Sequence, residues 1–364
     1  MNEFCPALSS IYRDRRVLVT GHTGFKGSWL CTWLLELGAR VTGLALTPDT
    51  NPNLFEALGL ADRMASHICD IRDEAAVLGI FNSVHPEFVF HLAAQPLVRR
   101  SYVEPVATMA TNVLGTAHVL EAARTTPGVR AVVAVTTDKV YADHQSMRPH
   151  RELDPLGGLD PYSASKAAAE LVAAAYQQNL CRGTVAIATA RGGNVIGGGD
   201  WCEDRIVPDI VRAIEAGRPI VLRNPYAVRP WQHVLELCEA YLELGACLLE
   251  FEAKFSQAFN FGPDISERMT VVELTKSFLE AWGEPNHAIE VEASPLRETQ
   301  VLRLDIAKAL SLMSWRPRLG IYKALQWTAS WYRRYHHNPL HAPTLIHDQL
   351  YSFARLMDAT RNSI

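Results

Sequence analysis

Arg16-Val17-Leu18-Val19-Thr20-Gly21-His22-Thr23-Gly24-Phe25-Lys26-Gly27 is the stretch whose reading decides the fold. Its first five residues form a short run rich in β-branched and apolar side chains, the pattern of a buried strand. Ser28 to Leu37 then reads as a helix, Gly38 as its stop, and Ala39 to Leu46 as a second apolar strand. Strand, glycine turn, helix and strand make the βαβ unit of a dinucleotide-binding fold. Gly21 permits the tight turn, Gly24 lets backbone N–H groups approach a pyrophosphate, and Gly27 lets the helix pack close to the strand. The spacing is Gly-x-x-Gly-x-x-Gly, which also fits a plain structural turn.

Working outward, Leu46 leads into Thr47-Pro48-Asp49, with no arginine to hold a 2′-phosphate. That favours NAD over NADP. Asp70, at the end of the strand-like His67 to Ile71, is placed either to accept from an adenine amino group or to cap the helix that opens at Glu74. Pro86 to Gln95 reads as a buried strand running into small residues, Leu92-Ala93-Ala94-Gln95, against which a flat cofactor can lie. Val103 to Arg124, with Asn112 inside it, reads as one amphipathic helix that covers the sheet or meets another subunit. Val129 to Val135 is a further strand, and it ends in Thr136-Thr137-Asp138-Lys139-Val140-Tyr141. A hydroxyl, a carboxylate and an amine at the carboxyl end of a central strand lie where doubly wound sheets bind ligands. The polar loop from Ala142 to Gly158 has the composition of a lid.

Asp160-Pro161-Tyr162-Ser163-Ala164-Ser165-Lys166 begins the next helix. Residues four apart share a helix face, so the Tyr162 phenol and the Lys166 ammonium point the same way. A free phenol has a pKa of about 10. A fixed cation lowers it and makes Tyr162 usable as a general base; the same spacing also occurs on ordinary solvated helices. Thr184 to Ala190 is another strand. Arg191 to Trp201 is a glycine-rich loop suited to a ligand or to a flexible connection, and Asp204 is placed to cap the helix after it. Arg229 suits a diphosphate or plain solvent. Helices are expected over Leu235–Leu249, Thr270–Trp282 and Leu325–Tyr335, with a short strand at Phe259–Gly262 and a polar tail from His336 that carries one amphipathic stretch, Thr344–Met357.

The 364 residues are 48% hydrophobic and 20% charged with a net charge of −4, a soluble enzyme's balance with no basic block for nucleic acid. No apolar run is long enough to span a bilayer. The seven scattered cysteines lack Cys-x-x-Cys spacing, which favours reduced thiols in the cytoplasm. The histidines show no metal-ligand spacing, so no metal is expected.

The glycine turn, the Thr-Asp-Lys triplet and Tyr-x-x-x-Lys together resemble the extended short-chain dehydrogenase/reductase superfamily. The segments Val19–Leu30, Ala94–Arg99, Thr137–Tyr141, Asp160–Ser163, Asn194–Trp201, Asp204–Asp209 and Arg229–Val234 are similar to those of the CDP-glucose 4,6-dehydratase group, where Asp-Lys replaces the Asp-Glu of the dTDP-glucose enzymes. The resemblance implies an α/β fold: a Rossmann-type doubly wound parallel sheet (12–191 plus 232–262), a smaller, discontinuous nucleotide-sugar domain (192–231 plus 263–335), and a helical tail (336–364). It implies bound NAD, a nucleotide-sugar substrate (CDP-glucose), a homodimer or homotetramer, and a place in deoxysugar and polysaccharide synthesis.

By the same resemblance NAD is held by Gly21, Thr23, Gly24, Phe25, Lys26, Gly27, Asp70, Ile71, Leu92, Ala93, Ala94, Gln95, Thr136, Tyr162, Lys166 and Arg191. Substrate contacts fall to Gln95, Arg99, Asn194, Arg205, Val207 and Arg229. Tyr162 takes the 4-hydroxyl proton, Lys166 holds the ribose, Thr137 bonds the 4-oxygen, and Asp138 and Lys139 divide the acid and base roles at C6 and C5. A 4-epimerase would need Tyr162 and Lys166 but not that pair, and a non-catalytic NAD-sensing protein would need neither. Departures from the group's pattern are Gly192 for alanine, Leu159 for an aromatic and Leu237 for proline.

Overall fold

The computed structural model describes residues 4–142, 148–292 and 301–361. Its centre is a seven-stranded sheet. β1 (Arg16–Thr20), β2 (Arg40–Ala45), β3 (Ala65–Ile68), β4 (Phe88–His91), β5 (Ala131–Val135) and β6 (Ala186–Gly192) come in chain order. β7 (Val195–Ile196) pairs with β9 (Gln232–His233), and β8 (Ile220–Leu222) with β11 (Ile289–Val291). β10 (Ala258–Phe261) completes the main sheet, whose order is β10-β6-β5-β4-β1-β2-β3, every pairing parallel. The order reverses between β1 and β4, and the crevice above such a switch point is where open α/β sheets bind ligands.

Alternation splits the strands between two cores. Val17 and Val19 of β1, with Val133 and Val135 of β5, face the larger core, while Leu18 and Val132 face the smaller. Both faces are therefore covered, as a parallel sheet requires. On the larger side lies the helix Phe25–Glu36, whose Trp29, Leu30, Trp33 and Leu34 are all fully buried. It packs against Val234–Glu250 and against the last helix, Ala342–Arg361, where Trp33 meets Phe353 edge-on at 5.8 Å. The amphipathic stretch of the tail is thus part of the main core, through Leu345, Ile346, Leu350 and Phe353. Among the described residues no helix is long and apolar enough to cross a membrane.

Several local readings change. The helix expected over Val103–Arg124 runs unbroken from Pro105 to Thr125 with a wider π turn at Ala110–Leu114, and a separate short helix, Val98–Val103, precedes it across a break at Glu104. Pro105 lacks an N–H and pushes Glu104 out of helical geometry, to φ −126° and ψ 59°. Asp73, not Asp70, caps the helix Glu74–Val84. Asp204 caps nothing: it sits at φ +60°, and the helix Ile206–Glu215 starts from Arg205 with no side-chain cap. The lid reading of 142–158 also fails for its described part, 143–147 lying outside the described residues. Ala142 and Gly157 bond to Pro155 and Val140, and His150 pairs with Leu304, so this segment is tied beside the sheet.

Candidate active site

The carboxyl ends of β1, β4, β5 and β6 open onto a cleft of about 340 Å³. Gly21 leaves β1 at φ +75°, and a Cβ there would stand 2.7 Å from the Ala93 nitrogen at the end of β4. Only glycine lets the two strand ends approach this closely. A Cβ at Gly27 would meet the Gly21 carbonyl at 2.1 Å, so turn and helix pack backbone to backbone. Gly24 is the N-cap of Phe25–Glu36 and offers no side-chain cap. The first N–H groups of that helix therefore face the turn free to bind an anion. Phe25 and Lys26 line the cleft, while the Thr23 hydroxyl donates to the Leu46 carbonyl at 2.9 Å.

Across the cleft stands the helix Pro161–Ala175. Pro161 occupies its first turn, and Asp160 caps it by accepting from the Ser163 N–H at 2.9 Å. Tyr162 and Lys166 are both buried on one face. The Lys166 ammonium donates to the Val135 carbonyl at 3.0 Å. Burial pushes the Tyr162 phenol up to about 12, against a hydrogen bond from Thr137 and the charge of Arg205. Burial outweighs both of these pulls, so the phenol stands above its ordinary value. Burial, followed by the charge of Lys26, brings Lys166 down to about 8; burial, followed by Arg205, does the same to Lys26. Arg205 also pairs with Asp200 at 2.9 Å. Cations crowded onto one wall are an environment that an anionic ligand relieves.

Thr137, Asp138 and Lys139 form a short turn after β5. The Thr137 hydroxyl donates to Asp138 Oδ1 at 3.0 Å. Asp138 is buried, and its Oδ2 has no hydrogen-bond partner among the described residues. Burial pushes its carboxyl up, over the pulls of Lys139, Thr137 and Arg229. Opposite it, a Cβ at Gly193 would stand 3.0 Å from Oδ2 and 2.3 Å from Pro230, so a side chain there would close this corner. Arg99, Asn194, Arg205, Val207 and Arg229 all line the cleft.

Three residues expected at the site lie elsewhere or turn away. Arg191 does not line the cleft: it is buried against Glu170 at 2.7 Å and donates to the Tyr141 hydroxyl at 2.9 Å. The Gln95 side chain folds back on its own loop, accepting from Leu97 N–H at 2.6 Å and donating to Thr108 at 2.8 Å. Ile71 buries its side chain in the smaller core, which leaves only its backbone to the crevice. Thr136 lines the cleft but gives its hydroxyl to Glu170. Asp70 pairs with Arg72 at 2.5 Å, at the end of β3; Leu92, Ala93 and Ala94 are half-buried at the end of β4. Missed from the sequence were Arg223 and the role of Asp204, which accepts from Arg99 at 3.0 Å and Arg223 at 2.7 Å across the cleft mouth. Nothing in local spacing marks such a pairing.

Residues 17–252 match the model of the NAD dependent epimerase/dehydratase family. The chain belongs to that family. It is 44% identical over 335 residues to the CDP-glucose 4,6-dehydratase of Salmonella typhimurium, covering 89% of this chain and 93% of the relative. It superposes on the dTDP-glucose 4,6-dehydratase of Streptomyces venezuelae, solved with NAD bound, with a TM-score of 0.77 at 27% identity, covering 89% and 99% of the two chains. The NAD-bound UDP-glucose 4-epimerase of Thermus thermophilus aligns with a TM-score of 0.74 at 27% identity, covering 87% and 99%. Family membership brings NAD as the cofactor, and the residues fit it. The glycine cradle of Gly21, Gly24 and Gly27 and the uncapped helix start offer room and donors for a pyrophosphate, Tyr162 lines the same crevice, and Lys166 lies one turn below it on the same helix face.

Proposed function

We propose that this chain dehydrates CDP-glucose to CDP-4-dehydro-6-deoxy-glucose. The observation that carries the reading is the buried Asp138 carboxyl at the cleft wall, one oxygen without a partner among the described residues, beside Lys139 and Thr137. A 4-epimerase has no use for an acid and a base there. The glycine turn and Lys166 would hold NAD, which would supply hydride removal from C4 and its return to C6. Tyr162 takes the proton of the sugar 4-hydroxyl while Thr137 hydrogen-bonds the 4-oxygen. The resulting ketone acidifies C5–H, and Lys139 takes that proton. The C6–O bond breaks as Asp138 donates its proton, and water leaves. The raised affinity of Asp138 for a proton supports its role as the acid. Lys139 then returns a proton to C5.

Residues 12–191 and 232–262 would carry NAD, 192–231 and 263–335 the nucleotide sugar, with Arg99, Asn194, Arg205, Val207 and Arg229 around the substrate. The 44% identity to the Salmonella enzyme supports CDP as the nucleotide. Exposed Val103, Val106 and Leu114, with Leu171 on the adjacent Pro161–Ala175 helix, support a second copy of the chain as partner. The test is mass spectrometry of the product formed from CDP-glucose and NAD in deuterated water. Loss of one water with one deuterium at C5 is expected. A sugar isomer of unchanged composition would transfer the reading to an epimerase.

A further inference from the structure

Positions 162, 166 and 170 repeat on one face of the Pro161–Ala175 helix, so Glu170 continues the line of Tyr162 and Lys166 one turn deeper. Glu170 is buried and does not line the cleft. Its Oε1 accepts from the Thr136 hydroxyl at 2.5 Å. Its Oε2 accepts from the Thr189 hydroxyl at 2.8 Å and from Arg191 at 2.7 Å. Arg191 is itself fixed by the Tyr141 hydroxyl and by the Glu152 carbonyl at 3.1 Å, and Tyr141 donates to Asn260 at 2.5 Å. A carboxylate with every contact specified, paired to an arginine with several, has little freedom to shift. Thr136 is the residue immediately before Thr137, Asp138 and Lys139.

We infer that Glu170 is a positioning residue, fixing the strand end that carries Thr137, Asp138 and Lys139 against the helix face that carries Tyr162 and Lys166. This deepens the dehydratase reading and rests on it. The reacting sugar must meet Tyr162 from the helix and Asp138 and Lys139 from the strand at the same time, so the separation of the two elements enters the rate directly. The Thr136–Glu170 bond joins them at the level of the site. Lys166 ties helix to strand once more through the Val135 carbonyl.

Glu170 also sets charge. Lys166 is faced by Lys26 from the glycine-turn helix, by His91 from β4 and by Glu170 from its own helix; of these, Glu170 favours the ammonium. Tyr162 is faced by Thr137 and Asp138 after β5, by Arg205 before the Ile206–Glu215 helix, and by Asp160 on its own. Removing a negative charge lowers the pKa of every group near it. The limb of the pH–kcat profile that follows Lys166 should therefore move to lower pH when Glu170 is neutralised.

The experiment compares Glu170→Gln, Thr136→Val and Thr189→Val with the wild-type chain. It uses whichever nucleotide sugar the wild type converts, so rejection of CDP-glucose would overturn the substrate assignment and leave this inference testable. Glu170→Gln is expected to lower kcat about tenfold or more, with KM and NAD affinity by fluorescence titration little changed, and to displace the pH profile acidward. Thr136→Val removes only the strand–helix bond. It should lower kcat without moving the profile, and Thr136→Ser should restore the rate. Thr189→Val, which touches the same carboxylate from β6, should keep both rate and profile. Should Glu170→Gln not fold, the Thr136 pair decides alone. Wild-type kcat in Thr136→Val, or equal losses in Thr136→Val and Thr189→Val, would overturn the inference.

Discussion

Leu237 fills the space that a side chain at position 192 would occupy: a Cβ there would lie 2.7 Å from Leu237 Cδ1 and 3.0 Å from Cδ2. Positions 192 and 237 therefore touch. Gly192 ends β6 and lines the cleft, and Leu237 is fully buried in the Val234–Glu250 helix. Gly192→Ala alone overpacks this contact and should cost about 1–3 kcal/mol. Leu237→Ala alone leaves a cavity and should cost about 2–5 kcal/mol. The double variant should lose less than the two costs added, because the new methyl enters the vacated space. Urea unfolding of all three variants checks this; strict additivity would show that the two positions do not share one space.

Lys139→Met should abolish overall dehydration while leaving the first oxidation possible. General acid–base groups contribute roughly 10²–10⁴ in rate, and a loss in that range is expected. Reduced-cofactor absorbance should still develop in a single turnover, with little deuterium entering C5. An epimerase would keep most of its rate with this variant.

How much of this was legible from residues depends on how local the determinant is. β1, the glycine turn and its helix are contiguous, and their period and punctuation are enough to read them. Tyr162 and Lys166 lie one turn apart, and helix geometry alone places them on one face. Arg191 was misread because its partner, Glu170, lies 21 residues earlier on the Pro161–Ala175 helix, and only the packing of that helix against β6 brings the two together. Gln95 was misread for a similar reason: a loop that looks open to a ligand is closed by Asn112, whose side chain holds the Gln95 backbone at both N–H and carbonyl, at 2.8 and 3.1 Å. Asn112 also donates to Ser165 at 2.8 Å, bracing the Tyr162 helix from a segment read as a plain amphipathic helix. Asp204 looks like a helix cap in sequence, yet its left-handed backbone and two arginine partners depend on contacts from distant elements.

Asp138→Asn should separate stability from catalysis. The raised carboxyl means that the folded chain binds a proton more tightly than the unfolded one. Its contribution to stability is fullest below the unfolded value and is lost as pH rises through the folded value. The variant, carrying no titrating group, should therefore gain on the wild type in melting temperature as pH rises above the unfolded carboxyl's value of about 4. Its dehydration rate should fall by roughly 10²–10⁴, since no proton reaches the leaving hydroxyl. Deuterium exchange at C5 of recovered sugar should persist if Lys139 is the base. A melting difference independent of pH would contradict the raised carboxyl.

The exposed valines on either side of the break at Glu104 give the remaining prediction. Val103 is 81% and Val106 80% exposed, and Leu171 on the neighbouring helix is 62% exposed. Single exposed apolar side chains are ordinary, but the two short helices that carry the valines pack against each other and against the Tyr162 helix, which carries Leu171. If a second copy covers them, Val106→Glu places a charge within an apolar contact and should convert a dimer to a monomer in sedimentation velocity. The same change should leave the monomer's melting transition cooperative, since Val106 contributes little to its own chain's core. Because the interface would lie behind Tyr162 and Lys166, kcat should fall on dissociation even though no cleft residue is altered. An unchanged sedimentation coefficient would place any partner surface elsewhere.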